Sequence, residues 1–205
     1  MKVGNEEAGK ERQATSDTMC NFLTCIALVI PSAGGKSTAA RRFPVLDIDS
    51  ILDLEDPMVT RALHHHERAL EDDSRWEKGN KLLWKFQKKW LRQNSAGRVR
   101  AVLLHTYEQA QALGFEDIQI LVPSLQLHAQ AMKERSPRGQ RIARLNREVV
   151  VNEVHRTNVQ IRLYSSWREY TLHLCTVMAI VIEEHHQMDG RAREDCRYSV
   201  LTSKN

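Results

Sequence analysis

An apolar run that ends in a pair of glycines constrains the fold of this chain more than any other feature. Residues 22–30 read FLTCIALVI, and such a continuous run of Ile, Val and Leu is typical of a strand buried on both faces. The octapeptide PSAGGKST follows at once, and a helix is predicted to begin near its lysine and to run through Arg42. This order of strand, glycine turn and helix places the loop at the carboxyl end of a strand, where parallel α/β sheets bind ligands.

Short apolar runs alternate with helical patterns along the rest of the chain. Further strands are predicted at residues 44–49, 98–105, 117–122 and 159–164. Helices are predicted at residues 74–93, 107–113 and 125–134, then from the Pro-Arg-Gly break to about His155, and at 167–186. Repeated strand–helix units imply parallel strands joined by crossover helices. We therefore expect an α/β fold, a three-layer α/β/α sandwich around a five-stranded parallel sheet.

The composition sets broad limits on the class of protein. The chain has 205 residues, 41% hydrophobic and 27% charged, as expected for one soluble domain, which we place at residues 20–187. The polar segments 1–19 and 188–205 are predicted to be disordered tails. A net charge of +4 is too small by itself to indicate a nucleic-acid-binding protein. Four cysteines without a CxxC pair indicate reduced thiols and a cytoplasmic location, and the absence of a long apolar run predicts no membrane span.

The octapeptide matches the end of the phosphate-binding pattern GxxxxGK[ST] at Gly35-Lys36-Ser37, but Ile30 stands at the first glycine position. Glycines let backbone amides approach phosphate oxygens, Lys36 can reach the β- and γ-phosphates, and the Ser37 hydroxyl can bind Mg²⁺. The alternative is a Gly-Gly turn followed by an ordinary helix start. The predicted nucleotide-binding residues are Ser32, Ala33, Gly34, Gly35, Lys36, Ser37 and Thr38.

The loop and the order of elements resemble the P-loop nucleoside and nucleotide kinases and their small-metabolite relatives, such as shikimate and gluconate kinases. These often read G-P-S-G-x-G-K-S-T, so Ile30 and Ala33 stand where two of their glycines would be. The resemblance implies ATP or another nucleoside triphosphate as donor, Mg²⁺ as cofactor and a kinase-like fold. It also implies a helical lid between the fourth and fifth strands, here about residues 134–148.

Asp47 and Asp49 end the second predicted strand. Alternate residues of a strand point to one side, so both carboxylates are expected at the sheet edge beside the loop, where they repel each other unless a cation or proton intervenes. By resemblance to shikimate-kinase-like enzymes, Asp47 would help to hold Mg²⁺ and Asp49 would contact the acceptor hydroxyl as base. The alternative is that one of them caps a helix beginning near Ser50.

Five arginines recur at every third residue in the segment that the resemblance assigns to the lid. They are Arg135, Arg138, Arg141, Arg144 and Arg147. Guanidinium groups stabilise the charge that spreads over a transferred phosphoryl group. Arg141 and Arg144 are the predicted catalytic arginines, and Arg138 is a predicted substrate-binding residue. The alternative is a solvated charged helix whose arginines pair with nearby glutamates.

Two weaker signals bear on substrates. His105 ends the third predicted strand and would line the cleft, either as a contact of the acceptor or a phosphate or as a hydrogen-bonded wall residue. The segment 78–92 interleaves lysines with Trp84 and Trp90, which fits either a nucleic-acid surface or an amphipathic helix with buried tryptophans.

Taken together, the residues favour Mg²⁺-dependent transfer of a phosphoryl group from ATP or another nucleoside triphosphate to a hydroxyl or phosphate of a small acceptor, which would make the chain a kinase. The acceptor would be a nucleoside, a nucleotide or another metabolite. One alternative is a nucleotide-binding module with weak or no turnover in a larger assembly, which Ile30 motivates. Another is a nucleic-acid-binding or end-processing protein. The oligomeric state stays open.

Overall fold

The computed structural model describes residues 25–69, 73–94, 99–157, 159 and 161–179. Its strands are β1 (Ile26–Val29), β2 (Leu46–Asp47), β3 (Ala101–Leu104), β4 (Ile118–Pro123) and β5 (Ile161–Tyr164). Its helices are α1 (Lys36–Arg42), a 3₁₀ helix (Ile48–Ile51), α2 (Pro57–Arg68), α3 (Asp73–Asn94), α4 (Tyr107–Leu113), α5 (Leu125–Met132), α6 (Pro137–Thr157) and helical residues 167–179, here α7. The predicted tails at 1–19 and 188–205 lie outside the described residues.

The five strands form one parallel sheet in the order β2-β3-β1-β4-β5. The α/β class and the five-stranded parallel sheet predicted from the sequence are thus confirmed. β1 lies at the centre, between β3 and β4, and all four of its residues are buried. The loop after β1 therefore leaves the middle of the sheet at its carboxyl edge, where neighbouring strands deliver their own terminal residues.

Helices cover both faces of the sheet, which confirms the three-layer arrangement. Alternate residues of β1 point to opposite faces. Ile26 and Leu28 belong to a core that includes residues of α1, α5 and α7. Ala27 and Val29 belong to a second core that includes residues of α3, α4 and α6.

The lysine-rich helix α3 behaves as the amphipathic alternative predicts. Trp84 and Trp90 are partly buried and pack against the second core. Lys88 donates a hydrogen bond to the carbonyl oxygen of Ala112 at the end of α4. Both indoles therefore pack against the protein interior rather than form an outward stacking surface for nucleic acid. No helix in the described ranges is long and apolar enough to cross a membrane.

The structure differs from the sequence prediction just after β2. The second strand ends at Asp47 and not at Asp49, because residues 48–51 turn into a 3₁₀ helix. The Asp47 carboxylate accepts a hydrogen bond from the amide of Asp49 at 3.3 Å, and its carbonyl accepts one from the hydroxyl of Ser50 at 2.6 Å. Asp47 therefore caps a short helix, as the alternative for this segment foresaw, while both carboxylates still reach the loop.

Helix α2 was not predicted from the sequence, although its start has a recognisable signal. Asp56 precedes Pro57, and its carboxylate accepts hydrogen bonds from the amides of Met58 at 2.7 Å and Val59 at 3.4 Å. An Asp at the N-cap and a Pro at the first helical position are both favoured there. Together α2 and α3 form a helical pair beside the loop.

Candidate phosphate site

The loop between β1 and α1 needs its two glycines for different reasons. Gly35 has φ 93°, in the left-handed region where a side chain is strained. Gly34 is confined by its neighbours, since a Cβ built there would lie 2.7 Å from Cγ2 of Ile30 and 2.7 Å from the carbonyl oxygen of Pro31. Ala33 also has a positive φ, of 64°, an uncommon conformation for alanine.

Ile30 fits this loop although it stands at a glycine position of the phosphate-binding pattern. Its amide donates to the carbonyl oxygen of Leu104, so it continues the ladder of β1 into the turn. Its side chain is fully buried in the core that also holds Tyr164. In the described ranges the only non-glycine residue with a positive φ is Ala33, so the backbone at Ile30 does not require glycine.

Three side chains from distant segments bind carbonyl oxygens of the loop. The hydroxyls of Tyr164 and Tyr170 donate to the carbonyl oxygens of Gly34 at 2.6 Å and Gly35 at 3.0 Å. His128 Nε2 donates to the carbonyl oxygen of Ser32 at 2.9 Å. With their carbonyls bound on the protein side, these residues leave the loop amides to face the other way.

Two loop amides are bound and four are available. The amide of Gly34 donates to the carbonyl oxygen of Pro31 at 2.8 Å. The amide of Ser32 donates to Oδ1 of Asn146 at 2.6 Å. Within the part of the chain that the structure describes, no hydrogen bond uses the amides of Ala33, Gly35, Lys36 or Ser37. Unpaired amides at a loop and helix start form an anion-binding concavity.

Lys36 lies at the centre of a charged cluster. Its side chain is only 8% exposed, and Nζ lies 3.1 Å from Oδ2 of Asp49 and 3.9 Å from Oδ1 of Asp47. Nζ also contacts Nε2 of His105. Burial lowers the pKa of Lys36, although both carboxylates act to raise it. The described partners of the buried ammonium are thus two carboxylates and an imidazole.

Asp49 and His105 form a tightly bonded pair beside Lys36. Oδ2 of Asp49 lies 2.6 Å from Nε2 of His105. Burial acts to raise the pKa of Asp49, but His105 and then Lys36 outweigh it, and the net pKa lies well below its usual range. The other ring nitrogen of His105, Nδ1, lies 3.4 Å from the Ser32 hydroxyl. The pair therefore connects the loop to the ends of β2 and β3.

The backbone of His105 is fixed from two sides. Its amide donates to Oε1 of Gln109 at 2.8 Å, and its carbonyl accepts from Nδ2 of Asn146 at 3.3 Å. Asn146 thus joins the loop amide of Ser32 to the end of β3 with one side chain. A single residue of α6 couples two of the elements that build the site.

A cavity of about 350 Å³ opens over the loop. Its walls include most of the predicted nucleotide-binding residues together with both aspartates, His105, Arg135 and Trp167. The loop residues among them are Ser32, Ala33, Gly35, Lys36, Ser37 and Thr38. A second cavity of about 250 Å³ adjoins the first and shares Ser32, Asp49 and His105 with it. Asp49 and His105 therefore stand on the boundary between two spaces.

The arginines of the predicted lid are dispersed. Arg135, just before α6, lines the loop cavity. Arg144 lines a separate cavity of about 610 Å³ between α5 and α6, where Arg147 donates to the carbonyl oxygen of Pro123. Arg138 and Arg141 are exposed on α6. Of the five arginines, only Arg135 is among the described residues that line the loop cavity.

The oxygen-bearing side chains beside the loop are suitable ligands for Mg²⁺. Ser37 and Asp47 line the same cavity, one with a hydroxyl and one with a carboxylate. The described residues contain no group of three or more His, Cys, Asp or Glu that could hold a metal by themselves. Mg²⁺ commonly binds through one or two carboxylates, water and substrate phosphates, so this set fits Mg²⁺ bound together with a phosphate.

Several residues of this site carry no local sequence signal. Asn146 and His128 lie on helices without a recognisable motif, and Tyr164, Tyr170 and Trp167 read only as strand and helix residues. Arg135 belonged to the arginine repeat, but the sequence gave no reason to select it over the other four. These residues reach the loop through the packing of α5, α6 and α7.

The fold and this site define an α/β protein with a phosphate-loop-like turn and a buried lysine at the carboxyl edge of a parallel sheet. No protein-family model matches the chain, and no curated protein matches it. Among solved structures, the chain is similar to shikimate kinase from Acinetobacter baumannii in complex with shikimate, with 12% sequence identity and a TM-score of 0.46. The match covers 81% of this chain and 98% of that one. A likeness of this degree supports no statement about ligand or activity.

Proposed function

We propose that this protein binds a nucleoside triphosphate with Mg²⁺ and transfers its γ-phosphoryl group to a small acceptor. One observation carries the proposal. The buried Lys36 and the unpaired loop amides face one cavity, and Asp49 and His105 separate it from a second cavity of a size for a small molecule. Two adjoining spaces with a carboxylate between them suit a donor and an acceptor.

The loop supplies the donor subsite. The amides of Ala33, Gly35, Lys36 and Ser37 can donate to phosphate oxygens. Lys36 can exchange the Asp49 carboxylate for a phosphate, one anion for another, with a small movement of Nζ. Such fixed donors need little reorganisation when charge develops, which is the main source of catalysis in phosphoryl transfer.

Mg²⁺, when bound, neutralises charge on the phosphates and orients them for in-line transfer. Ser37 and Asp47 would hold it from the protein side. Lys36 lies 3.9 Å from Asp47. Movement of the ammonium toward the phosphates would leave that carboxylate free for the metal.

Asp49 is placed to receive the acceptor. An acceptor hydroxyl in the second cavity would donate its hydrogen to a carboxylate oxygen of Asp49, which aims the hydroxyl oxygen at the γ-phosphorus. The bond from that phosphorus to the bridging oxygen of the donor breaks, the bond to the acceptor oxygen forms, and the proton passes to Asp49. His105, 2.6 Å from the same carboxylate, stabilises its charge before transfer.

Arg135 is the arginine that we assign to the transferred phosphoryl group, because it already lines the loop cavity. Arg141 and Arg144 are candidates for contact with the transferred phosphoryl group, and Arg138 is a candidate for contact with the acceptor. They would act in a closed state in which the start of α6 moves as a lid. A guanidinium added to the site on closure would stabilise the transition state and exclude water.

Acceptor-dependent formation of ADP tests the proposal. The full chain is incubated with MgATP, alone and with nucleosides, nucleoside monophosphates, shikimate or gluconate, and products are identified by mass spectrometry. The proposal predicts a phosphorylated acceptor and little ADP without one. ADP formation that no acceptor increases would contradict a transferase and indicate an NTPase.

One observation favours a second candidate, a nucleotide-binding module with weak or no turnover. The amide of Ser32 donates to Asn146, and the ammonium of Lys36 donates to Asp49. Two groups that could bind an anion therefore already have partners within the protein. This candidate would be supported if the protein bound MgATP but formed no ADP with any of the acceptors tested.

A further inference from the structure

The second cavity differs in charge from the loop cavity. Its role as the acceptor site rests on the proposed function. The loop cavity contains Lys36 and Arg135. Among the described residues that line the second cavity there is no lysine or arginine, and Asp49 contributes a negative charge. A phosphate or carboxylate bound here would lack a fixed cationic partner and would face a carboxylate, which makes an anionic acceptor unfavourable.

Neutral carboxamide side chains line this cavity. Gln87 is 1% exposed and Gln109 4%, and Nε2 of Gln109 donates to Oε1 of Gln87 at 3.0 Å. Nε2 of Gln87 makes no hydrogen bond to any described residue, and Gln87 lines the second cavity. A buried donor kept without a protein partner is expected where a ligand supplies the acceptor.

A third carboxamide, Asn80 on α3, and the imidazole of His66 on α2 also line the cavity. Nε2 of His66 donates to Oδ1 of Asn80 at 3.0 Å, which leaves Nδ2 of Asn80 free to donate. Burial lowers the pKa of His66, which keeps this ring neutral near pH 7. Gln87, Gln109, Asn80 and His66 therefore supply neutral hydrogen-bonding groups to the wall.

Flat rings form another part of the wall. Trp76 and Trp84, both on α3, line the cavity. The ring of Trp76 lies 4.4 Å from that of His66 at an angle of 31°, so the two rings brace each other. Indole faces favour planar ligands. The volume of about 250 Å³ is slightly below the usual range for ligand sites, about 300–1,000 Å³, and admits one small molecule.

We propose that the acceptor is an uncharged molecule that joins a flat hydrogen-bonding ring to a hydroxyl group, and that nucleosides are the matching class. The ring lies among the tryptophans and carboxamides, with Nε2 of Gln87 donating to it. The hydroxyl points to Asp49 at the boundary with the loop cavity. Nucleoside monophosphates and hydroxy acids are excluded by the missing cation.

Binding of defined probes to the full chain tests this proposal. Adenosine, guanosine, cytidine and uridine are titrated by calorimetry beside their 5′-monophosphates, with MgATP titrated separately. At least one nucleoside should bind roughly tenfold or more tightly than its own monophosphate, because the phosphate would be buried beside Asp49 without a partner. Monophosphates that bind as tightly as nucleosides, or a panel in which none of the eight binds while MgATP does, would overturn it.

Substitutions locate the binding in this cavity. Gln87→Leu should weaken the nucleoside by about three- to tenfold, the value of one or two lost hydrogen bonds, and leave MgATP affinity within about twofold. Gln126→Leu is the matched control, since Gln126 is exposed on α5 away from both cavities. If Gln87→Leu does not fold, Trp76→Leu, at a side chain that is 39% exposed, provides the second variant. Unchanged nucleoside affinity in the folded variant would contradict the proposal.

The two proposals fail in different ways. A folded wild type that binds a nucleoside but not MgATP would overturn the proposed phosphoryl transfer and leave the preference of the cavity in place. A wild type that binds MgATP and phosphorylates only an anionic acceptor would overturn the present inference alone.

Discussion

The ammonium of Lys36 lies 3.1 Å from a carboxylate oxygen of Asp49, and the same oxygen lies 2.6 Å from the imidazole of His105. Lys36 comes from the start of α1, while Asp49 follows β2 and His105 follows β3. The sheet therefore brings together, at one edge, the lysine that would bind the donor and the carboxylate that would bind the acceptor. In the proposed function, Asp49 serves Lys36 as an internal anion until a phosphate replaces it.

Asp49→Asn should impair transfer far more than donor binding. Asparagine keeps the shape of the side chain but cannot take the proton of the acceptor, so acceptor-dependent kcat should fall by about 10²–10⁴. MgATP affinity should stay equal or rise, because Lys36 loses a competing carboxylate. Steady-state kinetics and calorimetry check this, with Asp53→Asn, an exposed aspartate nearby, as control. An unchanged kcat would remove Asp49 from the reaction.

The same residue predicts a dependence of stability on pH. The folded-state pKa of Asp49 is lowered, so in acid the unfolded chain takes up a proton at this residue before the folded chain does. Its contribution to the free energy of unfolding is complete above its ordinary pKa of about 4 and is lost as the pH falls below that value. Urea denaturation should therefore show a gap between wild type and Asp49→Asn that is largest near neutral pH and narrows in acid. A gap that widens in acid would contradict the lowered pKa.

Gly34→Ala should damage the loop. The new Cβ would lie 2.7 Å from the backbone oxygen of Pro31 and 2.7 Å from Cγ2 of Ile30, and the backbone contact cannot be relieved by a side-chain rotation. We expect a loss of about 1–3 kcal/mol in the free energy of unfolding and loss of MgATP binding. Chemical denaturation and calorimetry measure both.

Gly139→Ala is the matched control for that substitution. A Cβ there would meet only side-chain atoms, the nearest being Oγ of Ser136 at 3.3 Å. Gly139 lies in α6, where alanine is favoured by about 0.5–1 kcal/mol. Equal effects at Gly34 and Gly139 would show that the close contact with Ile30 and Pro31 is unimportant.

Separate alanine substitutions of the arginines decide which of them meets the phosphates. Arg135→Ala should lower kcat by about 10²–10³, as expected when one charge-stabilising donor is removed from a transition state. Arg141→Ala and Arg144→Ala should have effects of that size only if α6 closes over the loop. Steady-state kinetics of the three variants compares them. A kcat in Arg135→Ala equal to wild type would remove Arg135 from the site.

The sequence predicted those features that depend on local order. The apolar run before Gly34 and Gly35 predicted the central strand and the turn, and α1 and α4 have the predicted bounds. Gly114 closes α4 in the left-handed conformation, as a glycine at that position indicates. Asp47 and Asp49 were expected beside the loop. A 3₁₀ turn rather than a longer strand brings them to 3.9 Å and 3.1 Å from Nζ of Lys36, a contact that was not predicted.

Features that depend on packing between distant segments could not be predicted. The bond from Asn146 to the amide of Ser32 spans 114 positions, and that from His128 to the carbonyl of Ser32 spans 96. The position of each arginine relative to the loop could not be predicted either. Regular spacing determines which residues share a face of a helix, but not how that helix packs against the rest of the fold. Only the packing of α6 against the loop separates Arg135 from the others.

Calorimetric titration of MgATP into the full-length wild type and into Lys36→Ala tests the central claim most directly. Lys85→Ala, at an exposed lysine of α3, serves as the control. The proposed function predicts binding by the wild type and by Lys85→Ala, and its loss in a folded Lys36→Ala. A folded wild type that does not bind MgATP, or a Lys36→Ala variant that binds it with unchanged affinity, would contradict the assignment of this loop as a nucleotide site.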